Sequence, residues 1–274
     1  MSLTHSEFDY IRRLVLDKSA IVLEEDKEYL VESRLLPLAR REGMASLGVL
    51  IRKLQSEPFH NLHQRAVEAM TTNETSFFRD LHPFETLRKT LLPQLINQRA
   101  AERELTIWCA ACSSGQEPYS LAMLLRENFP QLANWKVRIL ATDLSSDILA
   151  RAREGRYNQL EVNRGLPVAL LVKYFQKRGS DWYLREEIRN MVTFQVVNLA
   201  GTWPFIPLLD IVMLRNVLIY FAVESKKEIL AKVRRILKPD GYLFLGGSET
   251  TFGIDDAFER VQLDRTTCYR TRPT

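Results

Sequence analysis

The sequence predicts an α/β fold: a doubly wound, mostly parallel sheet with helices on both faces, preceded by a separate helical domain. Three observations carry this reading. Over residues 1–70 apolar residues recur at helical spacing with no strand-like alternation. From about residue 84, helical stretches alternate with short apolar, β-branched runs, as expected of a parallel sheet buried on both faces. The chain closes with two strand-like runs, near Arg260–Leu263 and Thr267–Thr271, that suit a terminal hairpin.

Taken in order, Phe8, Ile11, Leu14 and Val15 mark a first helix, Leu30, Leu35 and Leu38 a second, and Leu50, Ile51 and Leu54 a third. Gly43 and Pro58 are the expected breaks. A polar linker over 71–83 follows, and the second domain occupies 84–274. Its candidate strands are Leu105–Ala111, Val137–Thr142, Val192–Val197, Asp210–Leu214 and Tyr242–Gly246. Helices fit at 117–129, 145–153 and 222–237. The interval from about 155 to 190 interrupts the alternation. A helical run at Pro167–Phe175, a Gly-Ser-Asp turn and the strand-like Trp182–Leu184 make it a small inserted β-subdomain of two or three short strands.

Composition narrows the function classes. The 274 residues suffice for one large core or two smaller ones, and 46% apolar with 26% charged residues is ordinary for a soluble protein. No apolar run reaches membrane-spanning length and the polar start lacks a signal-peptide core, so a cytoplasmic protein without direct membrane insertion is expected. A net charge of +4 does not by itself call for nucleic acid. Positive charge gathers at Arg34, Arg40, Arg41, Arg52 and Lys53, either as a solvated helix face or as a docking surface for an acidic partner. Cys109 and Cys112 form an isolated C-x-x-C with no second pair to complete a metal site. They read as small side chains packed around a tight turn.

In open α/β sheets ligands bind outside the carboxyl ends of the strands, so the strand ends are the informative positions. Ala110-Ala-Cys-Ser-Ser-Gly115 offers small residues that let a ligand approach the backbone, while the dinucleotide signature G-x-G-x-x-G is absent. Glu117 stands at a helix start, where the helix dipole favours a carboxylate by about 0.3–1 kcal/mol. Asp143 ends the second strand, where a carboxylate can accept from both hydroxyls of a ribose, or else cap the helix near Ser145. Arg215 and Asn216 directly follow a buried apolar strand, a waste of two polar groups unless the strand opens into a site.

Six stretches in order carry a family resemblance: Thr71-Thr-Asn-Glu-Thr-Ser-Phe-Phe-Arg79, Trp108–Tyr119, Ala141-Thr-Asp143, Val197-Asn-Leu199, Leu214–Tyr220 and Leu237–Glu249. Over nearly its whole length the chain resembles the CheR family of chemotaxis methyltransferases, which methylate chemoreceptor glutamates using S-adenosylmethionine. The resemblance implies the class I methyltransferase fold and S-adenosylmethionine as methyl donor, leaving S-adenosylhomocysteine. It places Glu117 in the cofactor pocket, Asn198 and Leu199 against the adenine, and Arg215 and Asn216 beside the cofactor. Asn73, Thr75 and Arg79 would reach over the cofactor from the linker. Arg79, as guide for the incoming carboxylate, and Tyr220 are the catalytic candidates. Thr72 or Asn73 can alternatively cap a helix over 74–79, and Tyr220 can be a core aromatic. Phe77 and Phe78 read as packing residues.

The expected partners are methyl-accepting chemoreceptors, with recruitment to membrane receptor arrays. In members that dock a receptor's C-terminal peptide on the β-subdomain, the relevant loop is longer and richer in glycine than Gly179-Ser-Asp181. A member working without that tether is therefore expected. A nucleic-acid methyltransferase fits poorly, because Arg215-Asn-Val-Leu replaces the Asn/Asp-Pro-Pro-aromatic motif of base-amino methylation. A protein that holds the cofactor only as a scaffold or sensor is the other rival.

Overall fold

The computed structural model describes residues 3–272. The N-terminal unit is a bundle of α1 (His5–Ser19), α2 (Glu28–Arg41), α3 (Leu47–Ser56) and α4 (Asn61–Ala69). Its helix starts are written in the sequence. Thr4 and Glu7 form a reciprocal capping box at α1, and Ser46 accepts from Val49 N at α3, caps worth about 1 kcal/mol each. The periodic residues Phe8, Ile11, Val15, Leu35, Leu38, Leu50, Ile51 and Leu54 meet in one core. Gly43, at φ 69°, turns the chain between α2 and α3.

The larger unit begins with α5 (His82–Thr86), a π-helical turn over Leu87–Leu91 and α6 (Leu92–Gln98). The sequence reading assigned no element here, because Pro83 and Pro93 obscure an otherwise periodic run. Pro93 lacks an N–H and its ring crowds the carbonyl four residues back, which is where the helix widens. The buried Phe84, Leu87, Leu91, Leu92 and Leu95 are the signal that identifies the stretch.

Next come β1 (Glu104–Ala110), α7 (Gln116–Asn128), β2 (Lys136–Asp143) and α8 (Ser146–Glu154). The insertion supplies β3 (Arg156–Asn158), α9 (Gln159–Asn163), α10 (Val168–Tyr174), β4 (Phe175–Arg178), β5 (Asp181–Leu184) and α11 (Glu186–Arg189). Its strands form their own antiparallel sheet, ordered β3-β5-β4. The chain then returns through β6 (Val192–Val196), β7 (Leu209–Leu214), α12 (Val223–Ile236), β8 (Leu237–Leu245) and the hairpin β9 (Phe258–Leu263) and β10 (Thr266–Thr271).

The main sheet runs β6-β2-β1-β7-β8-β10-β9, its first five strands parallel and the terminal hairpin antiparallel. This is a doubly wound arrangement, as the sequence predicted. The strand order reverses between β1 and β7, which sets a crevice at their carboxyl ends. One boundary differs from expectation: β8 starts at Leu237, not Tyr242. Lys238-Pro-Asp-Gly241 reads as a turn but is absorbed as an irregularity, with Leu209 facing Leu237 and Ile211 facing Tyr242.

The opposite, amino-terminal ends of these strands are locked by Asp210, fully buried. Its carboxylate accepts from Arg99 Nε, Lys238 Nζ and Thr106 N, each at 2.8 Å. Arg99 also pairs with Asp240, whose carboxyl it holds below the ordinary range.

Candidate cofactor and active site

A cleft lies at the carboxyl ends of β1, β2, β6 and β7, where ligands bind in open α/β sheets. Asn73, Thr75, Arg79, Glu117, Asp143, Asn198, Leu199, Arg215, Asn216 and Tyr220 all line it. Residues from five separate segments thus converge on one cavity.

Its floor is the turn after β1. Ala111 and Ser113 sit at φ 55° and 51°, left-handed conformations that cost a non-glycine residue free energy and open the backbone towards the cleft. Asp143 fastens this turn. Its Oδ2 accepts from Ser113 N at 2.9 Å and its Oδ1 from Ser145 N at 3.0 Å. The cap of α8 is Ser145, whose hydroxyl accepts from Ile148 N, so Asp143 is not the helix cap. Burial pushes the Asp143 carboxyl up, against those backbone hydrogen bonds.

Glu117 lies in the first turn of α7, its side chain 12% exposed at the cleft. Burial raises its carboxyl despite the guanidinium of Arg215, whose Nη1 lies 2.8 Å from Glu117 Oε2. Arg215, 2% exposed, also donates from Nη2 to Asp80 Oδ2 at 2.7 Å and to the Arg79 carbonyl at 3.1 Å. Its Nε has no partner, a buried orphan donor.

The linker forms the lid side. It has no regular secondary structure from Thr72 to Ser76 and turns at 77–80, with Phe78, Asp80 and Leu81 at positive φ. That backbone excludes the alternative of a helix over 74–79. Ser113 Oγ donates to the Asn73 carbonyl, and Arg79 Nη1 to the Glu74 carbonyl. Phe77 is buried edge-on against Tyr157 and Phe175 of the insertion, and Phe78 packs on Phe84, so both are packing residues. Gly165, at φ 85°, abuts this turn so closely that a Cβ would lie 2.0 Å from the Phe77 carbonyl oxygen. The insertion therefore braces the linker.

The helical unit closes the remaining side with Ser19 and Ile21, at the end of α1, which the sequence reading missed. Ile21 bridges to Phe221, and Val22 N donates to the Tyr220 carbonyl at 2.9 Å. Tyr220 is half-buried in the cleft wall instead of lying in the core. Asn198 stands in the cleft wall as expected and also makes protein contacts. Its Nδ2 donates to the Lys18 carbonyl at 2.7 Å and its Oδ1 accepts from Ala200 N at 3.0 Å. These bonds fix the amide orientation and leave one N–H and one lone pair free. Arg34 is not part of a surface cluster. It donates to the Met70 carbonyl and to Thr72 Oγ1, tying the linker to α2. Arg41 pairs with Asp147, while Arg40, Arg52 and Lys53 are exposed.

The donor set suits a cationic nucleoside. Glu117 and Asp143, whose ionisation desolvation resists, gain from a positive ligand, and Leu144, Val197 and Leu199 offer an apolar shelf. Cys109 and Cys112 are buried free thiols, pushed well up by desolvation. His63 is buried and hydrogen-bonds the Leu54 carbonyl and His60. Among the described residues no cluster of three or more His, Cys, Asp and Glu is placed to hold a metal ion, and no helix is long and apolar enough to cross a membrane.

Comparison with known proteins gives a consistent result. Residues 73–267 match the family described as CheR methyltransferase, SAM binding domain, and residues 6–71 match CheR methyltransferase, all-alpha domain. The chemotaxis protein methyltransferase Cher2 of Pseudomonas putida is 42% identical over 267 residues, 96% of each chain. Chemotaxis protein methyltransferase 1 of Pseudomonas aeruginosa is 42% identical over 277 residues, covering 99% of this chain and 100% of its own. A chemotaxis protein methyltransferase of Vibrio parahaemolyticus is 37% identical over 273 residues, 98% of each chain.

Proposed function

The chain belongs to the CheR family of S-adenosylmethionine-dependent chemotaxis methyltransferases, and on that premise we propose that it esterifies glutamate side chains of methyl-accepting chemoreceptors. The observation that carries the reading is the convergence of all ten candidate side chains on one cleft at the strand-order reversal. We divide the chain into a helical domain to residue 70, a linker at 71–83 that contributes to the site, and a methyltransferase domain from 84 with its insertion at about 155–190. The enzyme works in the cytoplasm and is recruited to receptor arrays. The turn between β4 and β5 is only Gly179-Ser180, which supports action without a receptor peptide tether.

When bound, S-adenosylmethionine supplies a methyl group already activated by its sulfonium. The acceptor needs no general base, since a glutamate with a reference pKa near 4.3 is ionised at neutral pH. The work of the chain is therefore placement. Asp143 offers its remaining lone pairs to a ribose, and Glu117 and Asp143 together favour a cation. Arg79, one of whose Nη atoms is held by the Glu74 carbonyl, guides the incoming carboxylate, and Tyr220 flanks it. The braced linker closes over the reactants and excludes water. Alignment of this kind contributes up to about 7–11 kcal/mol.

The test is transfer of a labelled methyl group from S-adenosylmethionine to chemoreceptor cytoplasmic fragments. Label released as methanol by mild base is expected. Cofactor binding without transfer to any receptor would move the protein to a scaffold role or to another substrate.

A further inference from the structure

The carboxylate of Glu249 lies outside the cofactor cleft, in the loop after β8, yet it accepts four backbone hydrogen bonds. Its Oε2 takes Gly246 N at 2.6 Å and Asn216 N at 2.7 Å, and its Oε1 takes Val217 N at 2.9 Å and Ile219 N at 3.3 Å. Three of these amides belong to the segment that carries Arg215, Asn216, Val217 and Tyr220 into the cleft. That segment leaves β7 through Asn216, a non-glycine residue at φ 58°. A chain leaving a strand this abruptly exposes consecutive N–H groups with no ladder to join, and a carboxylate is the one side chain with enough acceptor capacity for all of them. The neck is also closed sterically. A Cβ at Gly246 would lie 2.5 Å from Asn216 Nδ2, 2.7 Å from Glu249 Oε2 and 2.9 Å from Asn216 N.

We propose that Glu249 is a positioning residue of the methyltransferase: it fixes the 215–220 wall against the cofactor and the acceptor without touching either. A neutral amide does not substitute. In Glu249→Gln the new NH₂ group must face two of the four backbone donors, so the wall loosens on that side. Glu249→Asp falls one methylene short of spanning both segments.

The inference rests on the assignment of the cofactor to this cleft, and the experiment separates the two. Wild-type protein and Glu249→Gln are compared by calorimetry with S-adenosylmethionine, by turnover on receptor fragments, and by amide hydrogen exchange. The expected result is a folded variant with turnover lowered about a hundredfold, cofactor Kd raised about tenfold and receptor KM within twofold. Its exchange should accelerate at 215–221 and 246–249 while β1 and β2 keep their protection. A folded variant with turnover and Kd within twofold of wild type overturns the proposal. So does a variant that unfolds throughout, since Glu249 is then a structural residue. Failure of the wild type to bind S-adenosylmethionine would count against the cleft assignment instead, and the exchange pattern would still report what Glu249 holds.

Discussion

The two ends of the main sheet use the same chemistry for opposite purposes. Each has an arginine bridging two carboxylates, half-buried at one end and buried at the other. At the amino-terminal ends Arg99 joins Asp210 to Asp240, and at the carboxyl ends Arg215 joins Glu117 to Asp80. The lower bridge is complete, with Lys238 and Thr106 N filling the remaining acceptor positions on Asp210. The upper bridge is not: Arg215 Nε is unpaired, burial resists ionisation of Glu117, and the backbone around it holds left-handed residues at Ala111, Ser113 and Asn216. A saturated ionic cluster holds strands together, whereas an unsaturated one beside a cleft keeps capacity for a ligand.

That contrast is broken most directly at its lower end. Asp210→Ala leaves Lys238, Arg99 and the Thr106 N–H without their shared acceptor, and should cost about 3–5 kcal/mol of stability. Thermal denaturation is the check. If the melting temperature holds while cofactor affinity collapses, the two ends have been assigned the wrong way round. At the upper end Arg79→Ala should lower turnover about a hundredfold while changing cofactor Kd by less than about threefold, because its role is with the acceptor. Equal losses in both, by calorimetry and kinetics, would make Arg79 a cofactor ligand only.

The smallest expected effect is on pH. Burial raises the carboxyls of Glu117 and Asp143 above their ordinary range, so each binds its proton more tightly in the folded protein than in the unfolded chain. The ligand-free protein therefore loses their contribution to stability as pH rises through the raised values. A cationic ligand prefers the ionised carboxylates, so its affinity runs the other way and falls as pH drops through the same window. Titrations of S-adenosylmethionine from pH 8 down should show weakening that begins above the ordinary carboxylate range of about 4. Affinity independent of pH down to that range would mean these groups do not face the cation.

Much of this was legible in the sequence, for physical reasons that also mark where legibility ends. Apolar periodicity located the three helices read in the N-terminal unit, and the β-branched runs located the parallel strands, because both patterns record which face is buried. Seven of the ten candidate side chains share a cleft because the segments that follow strand ends in this topology converge at the reversal between β1 and β7, whereas Asn73, Thr75 and Arg79 reach it from the linker. Proline hid the helical stretch over 82–98, and Lys238-Pro-Asp-Gly241 looked like a turn although the strand absorbs it. Periodicity also says nothing about which distant element a residue meets. Hence Ser19 and Ile21 were missed as cleft wall, Arg34 looked like surface charge while it ties the linker, and Asn198 turned out to hold Lys18 and Ala200. Glu249 was visible only as the end of a motif, since its partners are main-chain amides that carry no sequence signal.

The most direct test is a paired calorimetric titration of S-adenosylmethionine into Asp143→Ala and Asp210→Ala. If the carboxyl ends of the strands hold the cofactor and the amino ends hold only the fold, Asp143→Ala raises Kd at least about tenfold, equivalent to ~1.4 kcal/mol. The folded fraction of Asp210→Ala should bind as wild type does. Unchanged affinity in Asp143→Ala would contradict the account, leaving that carboxylate as no more than the fastening between the β1 turn and α8.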